Sequence, residues 1–279
     1  NKKDSKQLGS LGAGFSIQKG VKTTVTIRNK TKHDISNFAI KVNGFESGDM
    51  RVSEVVLSKF STEGKFVDII HEIDVPVGYG FGCSAAVALS LAIALNDALE
   101  CKLSKIKVAQ IAHDVEIECK TGLGDVLASY HGGFEIRDKP GAPGIGHVQK
   151  ITLDKISIIM ICFSPISTSK FIKEKLSQIN GLGGKMVNEL LESKNYEHFQ
   201  EMSLEFAKYV NVMTPRMQKV VNQLSKNNIK CGIALFGETI FSMVPKEKEN
   251  NVLEILEKFS DGIIIKSKLD DTGARILYN

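Results

Sequence analysis

A chain of 279 residues is long enough to bury one large core or two smaller ones, and two lobes are expected. With 42% hydrophobic and 24% charged residues it has the balance of a folded globular protein, and no apolar run reaches the roughly 18 residues that span a bilayer, which excludes a membrane helix. The formal charge of only +4, from 36 basic and 32 acidic residues mixed along the chain, argues against a nucleic-acid partner and leaves room for a small anionic ligand.

In chain order, the glycine-bearing "GSLGAG" (Gly9 to Gly14) precedes "GVKTTVTIRN", where Val21, Thr23, Val25 and Ile27 alternate as in a half-buried strand. "NFAIKVNG" is a second strand. "KFVDIIHEIDVP" is extended and ends at Pro76, followed by a glycine loop and a helix from about Ser84 to Leu99. Ser104 caps a further helix to about Cys119, and "KTGLGD" interrupts before a short helical piece and the strand "GGFEIRD". The loop "KPGAPGIG" sets the expected lobe boundary, giving lobes of residues 1–146 and 147–279. Beyond it come strand "ISIIMICF", a long helical region from Thr168 to Lys226, strands "KCGIALF" and "TIFSMVP", helix "NVLEILEKF" and strand "GIIIKSK". With the helical region taken as one crossover this is β-α-β-β-α-β, a ferredoxin-like order. Five spread cysteines with no CxxC pair suit a reducing compartment, and the N-terminal stretch lacks a secretory apolar core, so a cytoplasmic protein is expected.

"VPVGYGFGCSAA" carries the chemistry. Backbone amides approach a phosphate closely only where side chains do not intervene, so Gly78, Gly80 and Gly82 at a helix entrance suit a polyphosphate cradle facing the positive end of the helix. No lysine follows as in a Walker loop, and the spacing GxGxG is not the dinucleotide GxGxxG. A tight strand-to-helix turn without a ligand is the alternative.

The stretch "PVGYGFGCSAA" resembles the P-x-G-x-G-L-G-S-S-A-A loop of the GHMP kinases, which phosphorylate small-molecule hydroxyls with ATP. Phe81 stands for the usual Leu and Cys83 for the first Ser; Ser84 retains the second. Within that family "TGLGD", the Gly132–Gly133 pair, the R-x-KPGAPG run, "GSLGAG" and the terminal "DDTGARIL" are similar to the archaeal pantoate kinases of coenzyme A biosynthesis, with Leu11 replacing an Arg. The family's first segment, a short PGHITGFF-like strand and loop, is expected ahead of Asn1. The resemblance implies a two-lobed α+β fold, ATP and pantoate as ligands, and an ATP site of Pro76, Gly78, Gly80, Gly82, Cys83, Ser84 and Ala85. "CGIALFGETIF" occupies the place of the family's third, glycine-rich motif, with only Gly232 and Gly237 remaining.

Phosphoryl transfer requires alignment of two reactants, charge neutralisation and a metal bridging the phosphates. Magnesium takes oxygen ligands, so Ser84 and Glu116 form the expected metal pair and count with Asp125 as catalytic. Asp125, by residues alone a helix cap for "VLASY" or an acceptor of the hydroxyl proton, matches the family's catalytic aspartate. His113 shares a helix face with Glu116 at i, i+3, and could equally be a satisfied core histidine. For the substrate carboxylate the planar fork of Arg137 is the first choice and Arg275 the second. By the resemblance, Ser10, His113 and Thr168 complete the substrate pocket, with turn or cap roles as alternatives for Ser10 and Thr168. A homoserine- or mevalonate-type kinase and a non-catalytic nucleotide-binding regulatory module are the competing functions. A homodimer is compatible with the sequence, and neither nucleic acid nor membrane is expected as a partner.

Overall fold

The computed structural model describes residues 4–45, 49–166 and 168–277, with the backbone alone for 168–172. Strand β1 (Gly12–Phe15) is followed by β2 (Val21–Asn29), β3 (Phe38–Gly44), helix α1 (Arg51–Leu57), β4 (Lys65–Ile73), α2 (Cys83–Ala98), α3 (Lys105–Cys119), α4 (Asp125–His131), β5 (Phe134–Lys139) and β6 (His147–Ile151). The second half runs β7 (Ile156–Pro165), α5 (Thr168–Ser193), α6 (Tyr196–Tyr209), α7 (Pro215–Lys226), β8 (Gly232–Ala234), β9 (Gly237–Pro245), α8 (Glu249–Leu256) and β10 (Ile263–Lys268).

Three sheets result. β2-β4-β3 is mixed, with β2 antiparallel and β3 parallel to the central β4. Its inner face meets α1, α2 and α3 in one core, where the alanines of α2 (Ala85, Ala88, Ala92) are buried completely and let the helices approach closely. That core holds one polar knot. His71 on β4 takes Thr23 Oγ1 at Nδ1 (2.8 Å) and Ser53 Oγ at Nε2 (3.0 Å), and Thr23 also bonds Ser90 of α2 (2.7 Å). Burial holds the His71 imidazole down to a pKa of about 4.

The second-half sheet has the order β10-β7-β9-β8, which is the ferredoxin-like arrangement. β7 is a continuous apolar run because both its faces are covered. Ile158, Met160 and Cys162 face a core shared with β5, while Ile159, Ile161 and Phe163 face one under α7 and α8.

The small sheet β1-β5-β6 lies between these layers. Its strand β6 pairs with β5, so the expected division at 146/147 passes through a hairpin. Backbone bonds from Gln18 to Lys268 and from Asp270 to Ser16 stitch the two halves further. Neither β1 nor β6 nor α1 was expected from the sequence. The single helical region is in fact α5, α6 and α7, restarted by the caps Asn195 and Thr214-Pro215.

Candidate active site

The loop between β4 and α2 turns at Gly80 and Gly82 with φ of +86° and +63°, a region open chiefly to glycine. The first helical bond of α2 runs from Ala86 N to Gly82 O, and among the described residues the amides from Gly80 to Ala85 donate to no protein acceptor. They form the positive end of a sixteen-residue helix. The other half of the molecule braces this loop. Thr239 Oγ1 donates to the Tyr79 carbonyl (2.8 Å), Ile166 N to that of Gly78 (3.0 Å), and a Cβ on Gly237 would overlap the Tyr79 carbonyl. Gly237 in "CGIALFGETIF" is thus required by loop packing.

Two carboxylates converge beneath the loop. Glu116, on the last turn of α3 and almost fully buried, accepts from Ser84 Oγ at Oε2 (3.2 Å) and from Thr121 Oγ1 at Oε1 (2.5 Å). Burial raises its pKa to about 7, aided by the neighbouring Asp125 and opposed by the two hydroxyls. Asp125 is the first residue of α4, and its side chain makes no capping bond, so it is not the helix cap. It lies beside the loop: a Cβ on Gly82 would sit 3.7 Å from Asp125 Oδ2, and one on Gly122 would sit 3.2 Å from that oxygen and 2.6 Å from Glu116 Oε2. Burial raises the Asp125 pKa, opposed by the charge of Arg137.

Arg137 reaches this corner from β5, buried to 9% exposure. Its Nη1 donates to Glu135 Oε1 on the same strand face. A Cβ on Gly124 would lie 2.5 Å from Ser10 Oγ and 3.0 Å from Arg137 Nε, so the hydroxyl and the guanidinium flank one bare backbone position. Ser10, Gly80, Gly82, Cys83, Asp125 and Arg137 all line one cavity of about 1000 Å³, whose far wall is the apolar side of α5 and α6 (Met186, Leu190, Phe199, Phe206).

Several expected residues take other places. His113 is off the cavity wall. It is buried, and its Nε2 bonds the Leu8 carbonyl (3.0 Å), tying the segment that carries Ser10 to α3. Pro76 and Gly78 also lie off the wall and shape the loop: the Pro76 carbonyl faces the Cys83 thiol (3.9 Å) and the Gly78 carbonyl is held by Ile166. The Cys83 thiol, pushed up to about 12 by burial, is a packing group. The Ala85 side chain is in the core, leaving its amide to the loop. Arg275 lies on the cavity wall and is engaged by Asp270 (2.9 Å) and the Gly273 carbonyl (2.8 Å). The Thr168 side chain lies outside the described residues. Thr121 and Glu135 were not singled out from the sequence. Glu135 was legible, since alternation in "FEIRD" puts it on the face of Arg137 and opposite Phe134 and Ile136.

A braced glycine loop at a helix entrance, with Ser10, Asp125 and Arg137 on one cavity wall and the Ser84–Glu116 pair behind the loop, off that wall, defines a small-molecule kinase, and the comparisons agree. The family model described as the GHMP kinases N terminal domain matches residues 50–133. The chain belongs to the GHMP kinases. It is 34% identical over 254 residues to a pantoate kinase of Methanocaldococcus jannaschii, spanning 89% of this chain and 88% of that one. A pantoate kinase of Thermococcus kodakarensis is 27% identical, covering 89% and 83%. A solved structure described as a phosphotransferase related to the CoA biosynthesis pathway superposes with a TM-score of 0.86 at 25% identity, over 97% of this chain and 90% of that one.

Proposed function

We propose that this protein transfers the γ-phosphoryl group of ATP to the primary hydroxyl of pantoate, giving 4-phosphopantoate. The observation that carries the reading is the junction at Gly124 and Asp125, where the phosphate loop, an unshared carboxylate and an arginine edge meet on one wall. The unpaired amides from Gly80 to Ala85 receive the phosphate oxygens. Pantoate's carboxylate binds Arg137 beside the Ser10 hydroxyl, which turns the far end of this short molecule toward Asp125.

The pantoate hydroxyl oxygen attacks the γ-phosphorus, the bond to the β,γ-bridging oxygen breaks, ADP leaves, and the hydroxyl proton passes to an Asp125 oxygen. A partly buried carboxylate with a raised pKa is a better proton acceptor than an exposed one. The oxygen donors of Ser84 and Glu116 stand 3.2 Å apart and fit Mg2+, which takes few protein oxygens and completes its shell with water and phosphates. Bound there, the metal neutralises phosphate charge. Thr121 holds the second Glu116 oxygen and so fixes the carboxylate plane.

Coupled detection of ADP with ATP and a panel of pantoate, homoserine and mevalonate tests this reading. Turnover of pantoate alone is expected. Turnover of homoserine or mevalonate without pantoate would refute the acceptor, and nucleotide binding with no turnover on any acceptor would establish a regulatory module instead.

A further inference from the structure

Glu135 has no part in the chemistry above, yet it is fully buried in the strand that delivers Arg137. A buried carboxylate is costly unless it is paired, and a surface arginine would have served an ion pair more simply. The pairing is partial: Glu135 Oε1 takes Nη1, while Glu135 Oε2 and Arg137 Nε are both buried without a partner. Space for both side chains comes from β1, where Gly12 and Gly14 stand in register with Arg137 and Glu135. A Cβ on Gly12 would lie 2.8 Å from Nη2, and one on Gly124 3.0 Å from Nε. The Nη1 edge of the guanidinium is therefore occupied, and the Nε–Nη2 edge is bare, walled by two glycines and flanked by Ser10.

An arginine beside Asp125 has an obvious wrong partner. The attraction between Arg137 and Asp125 already opposes the effect of burial on the aspartate, and a free guanidinium would close onto it. The planar fork can grip a carboxylate with two parallel bonds only if the correct edge faces it.

We propose that Glu135 is a positioning residue that clamps Arg137 by Nη1, keeps it off Asp125, and presents the Nε–Nη2 edge to a carboxylate-bearing acceptor. The role deepens the proposed function and rests on it. Glu135 makes the site demand an anion at the end of the acceptor remote from the reacting hydroxyl. A neutral acceptor of the same shape leaves Arg137 without its second partner.

The test is steady-state kinetics on the full chain, with pantoate and its primary amide as acceptors. Glu135→Gln should raise the pantoate KM roughly tenfold or more and leave the ATP KM within about twofold. It should also shrink the preference for pantoate over the amide by roughly tenfold. In an Arg137→Ala background, adding Glu135→Gln should change the pantoate KM by less than about twofold, because Glu135 acts only through the arginine. If Glu135→Gln alone does not fold, Glu135→Asp, which keeps the charge and draws it back by one methylene, takes its place with the same selective rise in the pantoate KM expected. A further tenfold loss in the Arg137→Ala background would overturn the role, as would a Glu135→Gln protein whose pantoate KM matches the unaltered one or whose two KM values rise equally. An unaltered protein that does not turn over pantoate would instead refute the acceptor and leave the GHMP kinase assignment standing.

Discussion

The strand pair β1–β5 carries two opposite environments a side chain's width apart. On one face Ala13 and Phe15 stand in register with Ile136 and Phe134, and the phenyl rings pack against the second half, Phe15 edge to face on Phe241 at 4.9 Å and Phe134 tilted against Phe199 at 5.1 Å. On the other face Gly12 and Gly14 stand opposite Arg137 and Glu135. The period-two alternation of a strand assigns neighbours in sequence to opposite purposes. The aromatic face supplies the burial that holds the strands in place, and that rigidity lets the glycine face keep two charges where unaided packing would expel them. If this division is real, substitutions on the two sides should fail in different assays.

The largest effect is expected at the site. Asp125→Ala should lower kcat by about a thousandfold while ATP binding, measured by calorimetry, stays within severalfold, since the loop amides and not Asp125 hold the phosphates. Unchanged turnover would remove Asp125 from the reaction. On the aromatic face the failure should be one of stability. Phe134→Ala empties a completely buried site and should cost about 3 to 4 kcal/mol in urea unfolding, with both KM values little changed below the melting range. A selective rise in the pantoate KM would show that the two faces are not separable.

A second buried polar group, away from this pair, shows what a structural polar site looks like. His71 is neutral in the fold with a pKa of about 4, against 6.5 in the unfolded chain. Below pH 6.5 the unfolded state takes up the proton first, so stability present at neutral pH is lost as pH falls toward 4, by about 3 kcal/mol. The raised carboxylates Glu116 and Glu135 act with the opposite sign. The quantity to measure is therefore the difference between the unaltered protein and His71→Gln: it should narrow steadily from pH 7 to pH 4. A constant difference would mean that folding leaves the proton affinity of His71 unchanged. Both of its hydrogen-bond partners, Thr23 and Ser53, are hydroxyls, and neither is an anion. The contrast with the Glu135–Arg137 pair separates polar groups kept for packing from those kept for a ligand.

What the sequence displayed follows the range of the interactions involved. The loop and its helix are local, and Gly80, Gly82, Ser84 and Asp125 could be quoted from two short stretches. The second-half strand order followed from counting elements in a known pattern. The bond of His113 to a backbone carbonyl 105 residues earlier is one that no spacing reveals. β1 was given no element within "GSLGAG", since its strand character comes from β5 and not from its own residues. Gly237 looked like the remnant of a phosphate motif. Only the approach of Tyr79 explains why no side chain can stand there.

The two glycines of β1 give the smallest and most discriminating test. Gly12 has φ of +152°, where a side chain is strained, and an added Cβ would meet Arg137 Nη2 at 2.8 Å; Gly12→Ala should cost about 2 kcal/mol of stability and raise the pantoate KM roughly tenfold. Gly14 lacks a positive φ, and its Cβ would press on Glu135 Oε1, at 3.2 Å, and meet Arg137 Nη1 only at ordinary contact distance, 3.8 Å. A carboxylate can retreat by a few tenths of an ångström, so Gly14→Ala should cost less than about 1 kcal/mol in stability. The retreat would nevertheless drag on the bond to Arg137 Nη1, and the pantoate KM should rise about threefold with the ATP KM unchanged. If that small selective rise travels through Glu135 and the guanidinium, it should vanish in an Arg137→Ala background. A rise that persists there would mean that the glycine face shapes the pocket directly, and that its two charged residues need not act as a unit.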